Sequence, residues 1–173
     1  MNNLKLLHSR DEIRSRVAEL AAEIRGDYQG KNPLLLGVLK GSFVFMADLV
    51  RELEMPVEVE FIRLSSYRNS TQTSGKIRVV QGIRRPIEGR HVLVVEDIVD
   101  TGLTVKFLFE YLHKRKPLSL KLCTLFNKPS RRVSEVTIDY LGFTIPDAFV
   151  VGYGLDWDEK FRYLPDLCTL EES

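Results

Sequence analysis

The sequence predicts an α/β fold, a twisted and mainly parallel sheet flanked by helices on both faces. Three observations carry that prediction. Apolar runs of strand length recur at 34–39, 92–95 and 120–126. Helical apolar spacing occupies stretches before and between them. Two of the runs pass through a short glycine-bearing turn straight into a helical pattern, the connection that a crossover between parallel strands requires.

Residues 9–25 read as an amphipathic helix. Ser9 and Glu12 match a capping box, in which each side chain satisfies the other residue's backbone donor. Ile13, Val17, Leu20, Ala21 and Ile24 share one face, and Gly26 and Gly30 are expected to end the helix. Pro33 introduces the run 34–39, apolar throughout, as a strand covered on both faces must be. Lys40, Gly41 and Ser42 turn the chain into an apolar-rich helix from about Ser42 to Leu53. The segment 57–64 alternates in part and reads as a strand, and 76–80 is strand-like again. Between them, 65–76 is polar, which suits either an idle hairpin loop or a lid over a site.

The stretch 91–104 is the most informative. Val92 to Val95 form a buried strand expected to stop at Glu96 and Asp97. Asp100, Thr101, Gly102 and Thr104 follow, and a helix begins at once, with Val105, Leu108, Phe109 and Leu112 facing the sheet and Pro117 beyond its end. Ligands of open α/β sheets collect beyond the carboxyl ends of the strands. Backbone N–H groups at a turn and helix start make an anion cradle. Thr101 and Thr104 add hydroxyls to such a cradle, and Gly102 allows close approach and positive φ. Glu96 and Asp97 would repel a phosphate; they suit a sugar diol or a hard cation such as Mg²⁺. Asp100 has no structural task in the loop and can exchange a proton. Acidic and hydroxyl residues near a helix start are often only caps. Capping does not account for two carboxylates after an apolar strand followed by D-T-G-x-T.

The run 120–126 is the next apolar strand, ending at Asn127-Lys128-Pro129. Phe149 to Gly154 reads as a last strand, and the sequence 149–167 closes the chain.

With 173 residues, the chain is expected to form a single domain over 1–173. Its 44% hydrophobic content supplies an ordinary core, and a net charge of +1 gives no reason to expect nucleic acid or membrane binding. The two cysteines, Cys123 and Cys168, read as reduced thiols of a cytoplasmic protein. No stretch approaches the roughly 18 uninterrupted apolar residues of a membrane span, and no secretory leader is visible.

The string VVEDIVDTGLT at 94–104 resembles the signature of the type I phosphoribosyltransferases, which use 5-phosphoribosyl-1-diphosphate. From about Leu34 to Arg162 the chain is similar to the bacterial hypoxanthine (6-oxopurine) branch of that family. The resemblance implies a small hood lobe, made from both termini, over a base pocket. It implies that Asp100, Thr101, Gly102, Leu103 and Thr104 hold the 5′-phosphate, with Asp100 also the catalytic proton carrier at the purine N7. Glu96 and Asp97 would face the ribose and its Mg²⁺, with Asp156 as a further metal residue. Lys40, Gly41 and Arg162 would hold the diphosphate, the Leu39–Lys40 turn acting through its backbone with a non-proline cis peptide. Ser66 and Tyr67 would belong to the lid that keeps water from the reacting sugar. Lys128 would donate to O6 of the base, Phe149 would stack on it, and Val150 and Asp156 would read its edge. Trp157 would pack near the base pocket. Leu103 departs from the family pattern, where a basic or polar residue is common.

The implied reaction is Mg²⁺-dependent transfer of the phosphoribosyl group to N9 of hypoxanthine or guanine, in a homodimer or homotetramer. Two rivals stay open: a xanthine-preferring transferase, and a regulator that binds phosphoribosyl diphosphate without catalysis. A regulator should lack a base-selective lysine or a lid. A nicotinamide-dependent dehydrogenase is more distant, because no G-x-G-x-x-G follows the first strand.

Overall fold

A computed structural model describes residues 3–67 and 76–171. In chain order the elements are β1 (Asn3–His8), α1 (Arg10–Tyr28), β2 (Leu34–Leu39), α2 (Phe43–Leu53), β3 (Glu58–Tyr67) and β4 (Lys76–Gln81). There follow β5 (His91–Val99), α3 (Leu103–His113), β6 (Ser119–Asn127), β7 (Tyr140–Thr144), β8 (Val150–Val151) and β9 (Leu167–Glu171). Six strands form the main sheet in the order β4-β3-β2-β5-β6-β7. All its pairings are parallel except β3 with β4, so the sheet is mixed only at one edge.

The side-chain period of two divides the central strands between two cores. Leu35, Leu93, Val95, Cys123 and Leu125 face α1 and α2, whose Ile13, Leu20, Phe45 and Leu49 are wholly buried against them. Leu34, Leu36, Val92, Val94 and Leu122 face the opposite way, onto Val105, Leu108 and Leu112 of α3. Helices therefore cover both faces, which is why the strands of this sheet read as unbroken apolar runs.

The second sheet has the order β1-β9-β8, and all its pairings are antiparallel. It is the lobe expected from the termini, with Asn3 opposite Glu171 and Val150 opposite Thr169. Asp166 ties this lobe to α1 by accepting from the Arg10 backbone N–H at 2.7 Å.

Three boundaries differ from the sequence reading. Helix α1 has the expected Ser9–Glu12 capping box but runs through Gly26 to Tyr28. Tyr28 is buried, and its packing outweighs the roughly 1 kcal/mol penalty of an internal glycine. Strand β5 does not stop at the two carboxylates. Its ladder with β6 continues through Glu96–Thr124, Ile98–Phe126 and Val99–Asn127. The strand at 149–154 shrinks to Val150–Val151, because Gly152, Tyr153 and Gly154 take φ of +100°, +49° and +95°. Those left-handed positions bend the chain back over the carboxyl ends of the main sheet.

Candidate active site

Two strand–turn–helix connections lie side by side at the carboxyl edge of the paired β2 and β5. After β2, the Leu39–Lys40 peptide is cis and Ser42 is the N-cap of α2. The Ser42 hydroxyl is buried and donates to the Val38 carbonyl at 2.7 Å, so it fastens the turn to its own strand. After β5, Gly102 (φ +82°) is the N-cap of α3. Neither helix carries an acidic residue in its first turn, so the positive ends of both dipoles are left to an incoming anion.

The glycines report how closely the segments approach. A Cβ on Gly41 would lie 1.6 Å from Asp97 Oδ2. One on Gly154 would lie 2.4 Å from the Gly41 carbonyl oxygen. Three segments distant in sequence thus meet at backbone contact: the turn after β2, the carboxylates of β5 and the hood. A Cβ on Gly102 would strike the Ser134 carbonyl oxygen at 2.4 Å. The cradle is braced from that side, since Val133 and Ser134 both donate backbone N–H to the Thr101 carbonyl, at 2.9 and 3.0 Å. A cleft of about 250 Å³ opens between these pieces, lined by Leu39, Gly41, Ser66, Glu96, Asp97 and Thr104 among others.

The electrostatics of the cleft centre on Glu96 and Asp97. Glu96 is buried, and its Oε2 has no hydrogen-bond partner among the described residues. Burial, then the neighbouring Asp97 charge, pushes the Glu96 carboxyl well above its usual range. Burial raises Asp97 to about 6, opposed by backbone N–H donors, including that of Ile98 at 2.8 Å. Two adjacent desolvated carboxylates with an unused oxygen call for an outside positive charge, so this donor set fits a hard cation. Among the described residues no three carboxylate, histidine or cysteine side chains close into a metal cluster. Mg²⁺ commonly takes one or two carboxylates and fills the rest of its octahedron with water and substrate oxygens. Asp100, in the loop, also has a buried oxygen, Oδ1, without a partner among the described residues.

At the end of β6, Lys128 is 5% exposed, and its Nζ donates to the Ala148 carbonyl at 2.7 Å. Its backbone N–H donates to Val99 O at 2.9 Å, which fixes the end of β6 beside the loop after β5. An ammonium has three donors, so the Ala148 bond aims it and leaves others available. Phe149, next in the chain, is 52% exposed although large and apolar, and Val150 is held in β8 by Thr169. Asp156 pairs with Arg162 at 2.7 Å, and Arg162 also donates to the Gly154 carbonyl at 2.8 Å. Trp157 is 42% exposed, with Lys160 Nζ 5.6 Å from its ring centre.

Ser66 reaches the cleft lining from the end of β3. Tyr67 is the last residue of that strand, and 68–75, most of the expected lid, lie outside the described residues. Two contributors were not visible in the sequence. The brace at 133–134 acts through backbone N–H groups, which carry no residue identity. Glu159 holds Lys40 Nζ at 2.6 Å and Arg162 at 3.3 Å. Nothing in the sequence sets it apart from its acidic neighbours Asp156 and Asp158, and only the fold shows what it touches.

Comparison with known proteins agrees with this geometry. The family described as phosphoribosyl transferase domain matches residues 6–158. The chain is 46% identical to the hypoxanthine-guanine phosphoribosyltransferase of Bacillus subtilis (strain 168), over 98% of this chain and 94% of that protein. It superposes with a TM-score of 0.93 and 45% identity on the crystal structure of a hypoxanthine-guanine phosphoribosyltransferase from Bacillus anthracis with HEPES in the active site, covering 98% of this chain and 100% of that one. A hypoxanthine phosphoribosyl transferase of Trypanosoma cruzi, solved to define the role of its C-terminal region in oligomeric state and activity, gives a TM-score of 0.91 at 46% identity, covering 96% of this chain and 91% of that one.

Proposed function

The chain belongs to the phosphoribosyl transferase domain family, and on that premise we propose that it is the enzyme moving a 5-phosphoribosyl group from phosphoribosyl diphosphate to N9 of a 6-oxopurine, hypoxanthine or guanine. The observation that carries the choice of base is Lys128: a buried ammonium aimed by Ala148, beside an exposed stacking ring at Phe149. Its remaining donors meet an exocyclic oxygen favourably and an exocyclic amine unfavourably, because a site built to donate leaves a second donor unpaired.

Each residue has a part in the reaction. The 5′-phosphate sits on the loop Asp100–Thr104, where backbone donors and the Thr101 and Thr104 hydroxyls do the holding; Leu103 contributes its N–H only. Glu96 and Asp97 face the ribose diol. The diphosphate lies on Lys40, Gly41 and Arg162. Val150 reads the purine edge through its backbone, with Asp156 near the 2-position. As the C1′–oxygen bond to diphosphate breaks and the C1′–N9 bond forms, the N7 proton of the base passes to Asp100, whose Oδ1 is buried and has no hydrogen-bond partner among the described residues. Ser66 and Tyr67 belong to the segment that shields the charged sugar from water. Glu96, Asp97 and Asp156 would hold Mg²⁺. What Mg²⁺ supplies when bound is neutralisation of the diphosphate oxygens as they take up charge.

The protein acts in the cytoplasm as a homodimer or homotetramer in this reading. Among the described residues no helix is long and apolar enough to cross a membrane.

The test offers phosphoribosyl diphosphate and Mg²⁺ with hypoxanthine, guanine, xanthine, adenine and uracil in separate reactions, following nucleotide formation. The expected result is turnover with hypoxanthine or guanine and little with adenine or uracil. Equal turnover with adenine would overturn the role of Lys128. Donor binding without turnover on any base would make the protein a sensor of the donor instead, and xanthine leading the panel would transfer the assignment to that base.

A further inference from the structure

We propose that Glu159 is a resident stand-in for the diphosphate, a carboxylate that holds Lys40 and Arg162 between turnovers and yields them when the donor or the released diphosphate binds. This rests on the transferase reading, in which the diphosphate lies on the turn that carries Lys40 and on Arg162.

The geometry is that of a ligand mimic. One carboxylate oxygen of Glu159 lies 2.6 Å from Lys40 Nζ, and the other lies 3.3 Å from Arg162 Nη2. A single bidentate anion thus spans the two cations. Lys40 belongs to the turn after β2, and Glu159 to the hood loop 119 residues later, so no local helical or hairpin spacing enforces the pair. Arg162 does not need Glu159 to stay in place. Asp156 at 2.7 Å and the Gly154 carbonyl at 2.8 Å already hold it, and its side chain is only 20% exposed. Glu159 is the removable member: its side chain is 64% exposed, against 28% for Asp156.

The backbone around it also points to function. Asp158, Glu159 and Phe161 have φ of +52°, +58° and +73°, a region L side chains rarely enter. The loop is fixed there by the Glu159 N–H on Asp156 Oδ2 at 2.8 Å and by mutual backbone bonds between Trp157 and Lys160 at 3.2 and 3.0 Å. Residues held in sparsely populated backbone regions cluster at ligand clamps and switches. Here the unfavourable turn delivers a carboxylate to two cations. The Lys40 hydrogen bond, foremost, holds the Glu159 carboxyl below its usual range.

The consequence is competition. Diphosphate arriving at Lys40 and Arg162 must displace a negative charge that would otherwise repel it. Because the pair is exposed, the effect is modest, about two- to tenfold in affinity. Its direction is unusual: removing a charged residue from the site should tighten binding.

Inorganic diphosphate with magnesium chloride is titrated calorimetrically into the wild type, Glu159→Gln, Glu159→Ala and Glu159→Asp, and steady-state constants are measured for each. Both neutral variants should bind diphosphate about two- to tenfold more tightly than wild type, and the KM for phosphoribosyl diphosphate should fall by a similar factor. The KM for the base should not move. The Asp variant, which keeps the charge, should stay close to wild type, and raising the salt concentration should narrow every difference. A merely structural role would leave these affinities unchanged or weaken them, and either result in the two neutral variants overturns the proposal. Wild-type turnover with no gain in the neutral variants overturns this inference alone. A wild type with neither turnover nor diphosphate binding takes the transferase reading down with it.

Discussion

A carboxylate oxygen sealed from solvent and left without a donor among the described residues, as in Asp100, has room for a group that carries one. That state is unfavourable in an inert loop and useful beside a base whose nitrogen must lose a proton. Replacing Asp100 with Asn keeps the shape and removes the basicity. We expect kcat to fall roughly 100-fold or more, with the KM for phosphoribosyl diphosphate changing by less than about threefold. Steady-state kinetics against both substrates separate the two constants, and an unchanged kcat would remove Asp100 from the chemistry. At this scale the sequence singled out residues whose type and place after a strand both restrict their use, as with Glu96, Asp97 and Asp100, while the use proposed for Lys128 came from the family resemblance. It was silent where a contact depends on a distant turn. Nothing in the composition of 156–162 says that Glu159 would come within 2.6 Å of Lys40 rather than lie in solvent.

Elements were legible through their apolar period and their caps. The Ser9–Glu12 box gave the start of α1, while its end was misplaced because the buried Tyr28 outweighs the glycine before it. The ladder partner of β5 decided how far that strand runs, and partners are not written in a single strand. One junction between elements has a measurable pH signature. Glu58, at the start of β3, accepts from both terminal nitrogens of Arg90 at 3.0 Å and from Arg85 at 2.8 Å, which ties the approach to β5 onto β3. Hydrogen bonds from Arg90 and then Arg85 hold its carboxyl below the usual 4.5. A carboxyl lowered in the folded state stabilises the fold at pH above its unfolded value, and this contribution is lost as pH falls through the folded value. Glu58→Gln should therefore melt below wild type near neutral pH, and the gap should close as the pH drops below about 4. Thermal melts across that range test it; a gap that stays constant with pH would show that the clamp acts through shape and not charge.

At the scale of the whole molecule, the fold class and the doubly covered sheet were legible, because alternating strands and helices with short turns admit few arrangements; the lobe from the termini was expected only through the family resemblance. The individual strands of that lobe were not, since 3–8 and 167–171 are short and gain their order only from each other. The proposed assembly needs a face for a second copy. A groove of about 920 Å³ between the start of α1, α2 and the hood carries Arg10, Asp11, Arg14, Asp48 and Arg51, with Phe43 and Tyr163 exposed around it. Such a mixed apolar and charged face suits a second copy of the chain. Light scattering on the purified protein should give two or four times the 19.9 kDa chain mass, and a value of one times that mass would reject the oligomer.

The pairing of β1 with β9 sets Asn3 beside Glu171. The first and last described strands thus close the chain on itself within the hood and not within the main sheet. Its linear order is incidental to the proposed chemistry: a short bridge from β9 to β1, with a new opening at a remote turn, would give a differently ordered sequence the same cleft. The same proximity means that any segment joined before β1 or after β9 leaves from one corner of the hood, where, in the proposed reading, its first effect would fall on the entry and exit of the base.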